Sequence, residues 1–342
     1  MASSIIQSIA YAAGKSGGHI IPCLTLMVQQ PAIDTNLFFT TDASLDKKII
    51  HTNNTSMVHM ALPLSQSYNT WYKKPVLFWH LFISFCISLY MLWKYKPVQL
   101  ITTGGLVSIP VSCAAYIVRI PITLYELNAI PGKSARFIGY MANIINVCFA
   151  DAQQYFASDK TCMVPYPIRY TPSQKITKKE ACQQVGLNPD IPILLIIGGS
   201  QGSIQLNALA KDITHDIKDI QIIHQIGDTD TFNWQQWYHN NGIPNTVFTY
   251  DNNMVPYIAA ADLVLCRAGA GSLFELMYFD KQCIIIPLEG AADDHQVANA
   301  YAMQKQYPHL CTIVRHSIQE KSSHVISNLV KQKIKQYRKN CV

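Results

Sequence analysis

The sequence predicts an α/β protein of two domains, each a doubly wound parallel sheet, and three observations predict it. First, three glycine-rich loops, Gly14-Lys15-Ser16-Gly17-Gly18-His19, Gly198-Gly199-Ser200-Gln201-Gly202 and Arg267-Ala268-Gly269-Ala270-Gly271-Ser272, each follow a short apolar run of strand character. Glycine is needed where φ must be positive or where backbone amides must approach an anion closely, and a strand, glycine loop and helix in succession aim those amides at it. Second, strand-like and helix-like segments alternate along both halves, the pattern of a parallel sheet covered by helices. Third, 342 residues exceed one ordinary core and fit two domains.

In the first half, strand candidates at 5–12, 36–40, 98–102 and 122–126 are separated by helix candidates at 21–30 and 108–118. Tyr166-Pro167-Ile168-Arg169-Tyr170-Thr171-Pro172, followed by the basic stretch 175–179, interrupts the rhythm and reads as a linker, dividing the chain into domains 1–165 and 166–342. The second half repeats the logic, with strands at 193–197, 221–224, 246–250, 263–266 and 283–287 and helices at 204–217 and 272–278. Residues 317–339 read as a lysine-rich amphipathic helix that packs back on either domain. No short-period repeat is visible. Two such sheets facing each other across a cleft would present ligand sites at the carboxyl ends of both sets of strands.

Composition excludes disorder, since 49% of residues are apolar and only 14% charged. The net charge of +6 is concentrated early: residues 1–160 carry 11 Lys/Arg against 6 Asp/Glu, and residues 161–342 carry 16 against 15. Ten scattered cysteines without a C-x-x-C pair, mostly in apolar stretches, read as small buried hydrophobes in a reducing cytoplasm. The N-terminus, Met1-Ala2-Ser3-Ser4-Ile5-Ile6, reads as a first strand and not as a secretory signal. Residues 76–93 carry no formal charge, lie between Lys73-Lys74 and Lys94-Tyr95-Lys96, and include His80, Ser84 and Ser88. Three readings stand in order: a core helix, a helix docked on a membrane surface with Trp71, Trp79 and Trp93 near the boundary, and a spanning helix that would split a domain across a bilayer.

Several chemistries fail on spacing. Ala13-Gly14-Lys15-Ser16 resembles the end of a P-loop, but Ile9 stands where that motif needs its first glycine. Neither half has a well-spaced G-x-G-x-x-G with an acidic ribose binder about 20 residues on, as a nicotinamide enzyme would. Asp228-Thr229-Asp230 and Asp293-Asp294-His295 are short enough to be solvated loops, so no metal site is assigned.

The loops and their neighbours together resemble one family, the MurG-type glycosyltransferases of the GT-B fold. The resemblance runs from about Ala12 to Gln304. It rests on Gly14 to His19, Thr103-Gly104-Gly105 with Ser108 and Pro110, Glu126-Leu127-Asn128-Ala129-Ile130-Pro131-Gly132, Tyr166-Pro167-Ile168-Arg169, Gly198 to Gly202, Arg267 to Glu275, and Asp294-His295-Gln296 with Asn299-Ala300, in the family's order and spacing. It implies two Rossmann-like domains and transfer of N-acetylglucosamine from UDP-GlcNAc to the C4 hydroxyl of undecaprenyl-pyrophosphoryl-MurNAc-pentapeptide, with inversion, in cell-wall synthesis. No cofactor, metal or nucleic acid is implied; the partners are UDP-GlcNAc, the polyprenyl-linked acceptor and an anionic membrane surface at the cytoplasmic face of the inner membrane.

Inversion needs a base for the attacking hydroxyl and stabilisation of the leaving diphosphate. The resemblance makes His19 the candidate base, with a phosphate contact or a helix-start role as the alternative. Ser16, Gly17 and Gly18 would face the diphosphate or the sugar, and Asn128 the sugar hydroxyls. Arg169 and Ser200 would hold the diphosphate with the amides of Ala270, Gly271 and Ser272, a stretch continued by Leu273 and Phe274 in the donor site. Glu275 would bind the ribose, Gln296 the sugar, Tyr250 would cap the uracil and the backbone at Asp251 would read its edge. Capping and turn roles compete for each: Ser200 and Ser272 are good caps, Asn128 suits a turn, and Glu275 is favourable in a first helical turn without any ligand.

The chain departs from the family pattern at Lys15, Leu106, Leu127 and Phe279-Asp280-Lys281-Gln282. These departures leave open a different lipid acceptor, epimerisation of UDP-GlcNAc, or an inactive UDP-GlcNAc-binding scaffold. A lipid acceptor would give residues 76–93 and the basic first half a common purpose, because lysines near an anionic leaflet attract it.

Overall fold

The computed structural model describes residues 8–14, 17–30, 35–52, 57–64, 73–199, 202–215, 217, 219–290, 294–315 and 322–340. The chain divides into two compact units, Met1–Arg169 and Tyr170–Val342. Each is built on one all-parallel sheet.

In the first unit the elements run β1 (Ser8–Ala13), α1 (Gly17–Gln29), β2 (Thr35–Thr41), α2 (Ser44–Thr52), β3 (Val58–Leu62), α3 (Lys74–Tyr95), β4 (Gln99–Gly104), α4 (Ser108–Ile117), β5 (Ile122–Glu126), α5 (Lys133–Met141), β6 (Ile144–Val147) and β7 (Thr161–Met163). Its sheet order is β3-β2-β1-β4-β5-β6-β7. Strand β1 is buried along its whole length because it feeds two cores. Ala10 and Ala12 pack with Leu92, Val111, Ala114 and Ile138, whereas Ile9, Tyr11 and Ala13 pack with Ile20, Leu24, Ile49 and Ile50. Alternating side chains of one strand thus bind helices on opposite faces, which is double winding at residue level.

In the second unit the order is β8 (Ile193–Ile197), α7 (Ile204–His215), β9 (Gln221–Gln225), α8 (Trp234–Asn240), β10 (Asn245–Phe248), α9 (Val255–Ala260), β11 (Leu263–Cys266), α10 (Ala270–Tyr278), β12 (Cys283–Ile285), α11 (His295–Gln306), β13 (Cys311–Ile313) and α12 (Ser322–Asn340), preceded by α6 (Lys178–Val185). The sheet order is β10-β9-β8-β11-β12-β13. The continuous run Ile-Leu-Leu-Ile-Ile of β8 is fully buried, as a central parallel strand should be. The last helix, α12, buries Ile326, Val330 and Ile334 in this unit's own core beside Ile213.

Helix α1 starts at Gly17, earlier than the expected 21–30, and carries Pro22 inside it. The end of the glycine loop itself forms the first turn. Helix α3 also departs from the first of its three readings. It is 22 residues long and its most apolar 18-residue stretch has mean hydropathy 1.8, enough to cross a membrane, yet only 22% of that stretch is buried. Ser84, Ser88, Met91 and Leu92 face inward, with Ser88 Oγ bonded to the Ser84 carbonyl at 2.7 Å. Phe78, Trp79, Phe82, Tyr90 and Trp93 form the opposite face and are 56–70% exposed. Two serines thus share the inward face with Met91 and Leu92 while large aromatics face outward, where an ordinary surface helix carries polar residues. Because α3 connects two strands of one sheet and packs on it, a spanning orientation would pull the sheet apart. Trp71 lies outside the described residues.

Among the nine described cysteines, Cys23, Cys148, Cys182, Cys266, Cys283 and Cys311 are buried and all nine are free. Cys86 and Cys162 are exposed, unlike the small buried hydrophobes expected. Cys86 is exposed because it falls on the outer face of α3, and Cys162 because β7 is an edge strand.

Candidate active site

Both sheets reverse their winding once, between β1 and β4 in the first and between β8 and β11 in the second. At such a switch point neighbouring loops leave in opposite directions and open a crevice at the carboxyl ends of the strands. The predicted motifs fall at these two places.

At the first switch point Gly14, after β1, and Thr103-Gly104-Gly105, at the end of β4, lie against each other. Gly104 and Gly105 have φ of 88° and 90°, and a Cβ on Gly105 would come within 3.0 Å of the Gly14 carbonyl oxygen. His19 stands in the first turn of α1 and is half-buried. Its Nδ1 lies 2.7 Å from the Thr103 carbonyl, and Thr103 Oγ1 donates to the His19 carbonyl at 2.9 Å. A carbonyl oxygen only accepts, so in the neutral ring the proton sits on Nδ1 and the lone pair on Nε2. Gly17 and Gly18 belong to the same helical turn. Ser16 and Lys15 lie outside the described residues.

Asn128 follows β5 and is organised by Glu126. The Glu126 Oε1 accepts from the Asn128 backbone amide at 2.8 Å and from its Nδ2 at 3.2 Å. Burial pushes the Glu126 carboxyl up to about 7, opposed by the amides of Asn128 and Leu127 and by the charge of Arg136. The carboxylate thus orients the Asn128 amide while paying heavily for its own dehydration. The sequence alone assigns Glu126 no role, because its effect depends on burial, and it is 3% exposed. Leu127 is 1% exposed, so the departure at this position is a core side chain. Leu106 packs on the core that contains Ala12, Val111 and Leu124. Arg169 is half-buried after β7.

At the second switch point Gly198, Gly199 and Gly202 flank Ser200 and Gln201, which lie outside the described residues. Gly202 has φ of 74°, and a Cβ there would fall 2.4 Å from the Ile226 carbonyl oxygen. The loop after β11 opens α10, where the Leu273 amide bonds the Gly269 carbonyl at 3.0 Å and the Leu273 side chain is fully buried. Phe274 is buried too, so the first-turn donors are the amides of Ala270, Gly271 and Ser272. Glu275 is half-buried in that helix. Asn299 of α11 donates from Nδ2 to the Ala268 carbonyl at 3.2 Å, and the Gln296 Oε1 accepts from the Leu288 amide at 3.0 Å.

Strand β10 stops at Phe248, two residues short of the expected end, which leaves Tyr250 and Asp251 in the following loop. The Tyr250 hydroxyl donates to Asn252 Oδ1, and the Asp251 carboxylate accepts from the Asn253 amide at 2.9 Å and the Tyr257 hydroxyl at 2.8 Å. The Asp251 side chain is thus committed to its own turn. Asp230 of the D-x-D triplet is committed likewise, accepting from Asn207 Nδ2, Trp234 Nε1 and the Phe232 amide. His224 completes this network between Asn207 Oδ1 at 3.1 Å and the Tyr238 hydroxyl at 3.0 Å. The departure at Phe279 to Gln282 is structural: Phe279 meets Tyr170 edge to face at 5.5 Å, and Lys281 Nζ bonds the carbonyls of Ala259 and Ala261 at the end of α9.

Two parallel-sheet units with glycine loops at both switch points define the architecture of the two-domain glycosyltransferases that use nucleotide-sugars. Residues 9–146 match the glycosyltransferase family 28 N-terminal domain, and residues 193–340 match the family's C-terminal domain. The chain belongs to this family. It is 30% identical over 87% of its length to the UDP-N-acetylglucosamine–N-acetylmuramyl-(pentapeptide) pyrophosphoryl-undecaprenol N-acetylglucosamine transferase of Thermosipho africanus, covering 84% of that protein. Against the transferase of the same name from Caldicellulosiruptor saccharolyticus it is also 30% identical, over 87% of this chain and 82% of the other. Its fold is similar to the crystal structure of Acinetobacter baumannii MurG, with TM-score 0.69 at 20% identity, covering 96% of this chain and 92% of that one.

Proposed function

We propose that the protein transfers N-acetylglucosamine from UDP-GlcNAc to the C4 hydroxyl of undecaprenyl-pyrophosphoryl-MurNAc-pentapeptide, inverting the anomeric carbon. The observation that carries this reading is that the assigned loops open at the carboxyl ends of parallel strands, where such sheets bind ligands, in a chain related over most of its length to transferases of that name.

On this reading His19 Nε2 takes the proton of the attacking hydroxyl, and the Thr103 carbonyl holds the ring through Nδ1 and favours the imidazolium that forms. Glu126 turns the Asn128 amide so that its carbonyl oxygen accepts from a sugar hydroxyl. Gly17 and Gly18, with Ser16, meet the sugar or diphosphate. Arg169, Ser200 and the amides of Ala270, Gly271 and Ser272 hold the departing diphosphate, whose charge grows as the glycosidic bond breaks. Glu275 binds the ribose, Tyr250 and the Asp251 backbone the uracil, and Gln296 the sugar. The aromatic face of α3 and its flanking lysines seat the first unit on an anionic membrane surface, where a polyprenyl acceptor is anchored.

The test is transfer of radiolabelled GlcNAc from UDP-GlcNAc to a short-chain polyprenyl-pyrophosphoryl-MurNAc-pentapeptide. Transfer to this acceptor and none to its 4-deoxy analogue is the expected result. UDP-GlcNAc binding with no transfer to the parent acceptor would overturn the assignment.

A further inference from the structure

Arg267 closes β11 and belongs to a motif whose other members have assigned roles. It is 5% exposed, and its guanidinium spans three segments. Nε donates to Ser203 Oγ at 3.1 Å, Nη2 to Gln205 Oε1 at 2.8 Å, and Nη1 to the Ile286 carbonyl at 3.1 Å. Ser203 directly follows the 198–202 glycine loop, Gln205 lies in the first turn of α7, and Ile286 follows β12. The second switch point is therefore cross-linked through a single side chain.

All three acceptors are neutral, and no carboxylate among the described residues pairs with this guanidinium. Burial alone pulls its pKa down, with only the neighbouring Cys266 acting the other way. A neutral side chain could tie loops together without the cost of dehydrating a charge, and buried cations are ordinarily matched by an anion. An anion of one chemical class would match this charge, because Arg267 ties Ser203, after the loop that follows β8, to the end of β11, whose loop opens α10 with first-turn amides that lack partners within the helix.

We propose that Arg267 is a positioning residue for the donor site: it fixes the loops after β8 and β11 and leaves its positive charge uncompensated for the diphosphate of a nucleoside diphosphate. This rests on the donor reading above. The charge acts through the short stretch of protein between the guanidinium and the loops, where screening by water is weak, so its effect scales with ligand phosphate charge and not with the nucleoside.

The experiment measures affinities of UDP, UMP and uridine by calorimetry for the full-length protein and for Arg267→Gln and Arg267→Lys. Failure of the wild type to bind UDP would discredit the donor reading itself. With wild-type binding in place, the proposal expects R267Q to lose at least tenfold in UDP affinity, less in UMP and less than twofold in uridine, while R267K stays within about threefold of wild type for UDP. Equal losses for all three ligands, or equal losses in the Lys and Gln variants, would make Arg267 a scaffold only and overturn the proposal. If R267Q does not fold, Gln205→Glu takes its place, setting a carboxylate against Nη2 with the arginine retained. The same graded loss is expected, and unchanged UDP affinity would overturn it.

Discussion

Replacing Glu126 by Gln removes a charge that the first unit buries at a cost, and the size of the effect follows from one shift. The carboxyl moves from 4.5 to about 7 on folding. A raised carboxyl pKa means that the folded state holds its proton longer than the unfolded one, so stability is present below pH 4.5 and is lost as pH rises towards 7. The shift of roughly 2.5 units corresponds to about 3 kcal/mol at pH 8, of which about 2 kcal/mol is lost between pH 5.5 and 8. Glutamine keeps an oxygen for the Asn128 amide without the charge. Because two domains need not unfold as one, the assay is hydrogen exchange of the β5 and β6 amides, corrected for intrinsic rates and compared between wild type and E126Q. The variant should be more protected than wild type at pH 8 by about 2 to 3 kcal/mol and nearly equal to it at pH 4.5. Parallel pH dependence in the two proteins would refute the reasoning.

Gly202→Ala should cost about 3 kcal/mol or more, since a Cβ would strike the Ile226 carbonyl at 2.4 Å and φ is 74°; thermal melting checks the stability and UDP calorimetry the loop. In the second unit, burial holds His224 down at about 3, so stability is lost as pH falls below 6.5, by about 2 kcal/mol between pH 6.5 and 4.5. His224→Phe should abolish that component, whereas an unchanged acid limb would show that another group titrates. Replacing Phe78, Trp79 and Phe82 together by Ser should weaken binding to anionic liposomes in sedimentation by tenfold or more without altering UDP affinity. Unchanged sedimentation with an intact fold would remove the membrane role of α3.

The parts of the fold most legible in the sequence are the central strands. Runs such as Ile193 to Ile197 and Leu263 to Cys266 are apolar throughout because both faces are covered, and their limits match the structure. The edge strands β3, β7 and β13 were not legible: they are three to five residues long and bury one face at most, so their composition resembles loop. The start of α1 at Gly17 is not legible, because glycines favour loops and here form the first turn of the helix. The glycine loops mark the two switch points of the sheets, since few other positions need such residues in sequence. What they did not announce were Glu126 and Arg267. The importance of these two comes from burial and from the neutrality of their partners, properties that exist only after residues distant in sequence have been brought together. For α3 the sequence offers a membrane-docked helix with Trp79 and Trp93 at its boundary beside a core helix, and only the packed structure decides between them, because a helix apolar on all sides gives no sign of which face the sheet will cover.

The most direct test of the central claim is the rate of GlcNAc transfer by His19→Ala beside its affinity for UDP. The account predicts a fall in kcat of about 10² or more with UDP affinity nearly unchanged, because none of the residues assigned to the uracil, the ribose or the diphosphate is His19. Transfer by H19A at the wild-type rate would contradict it.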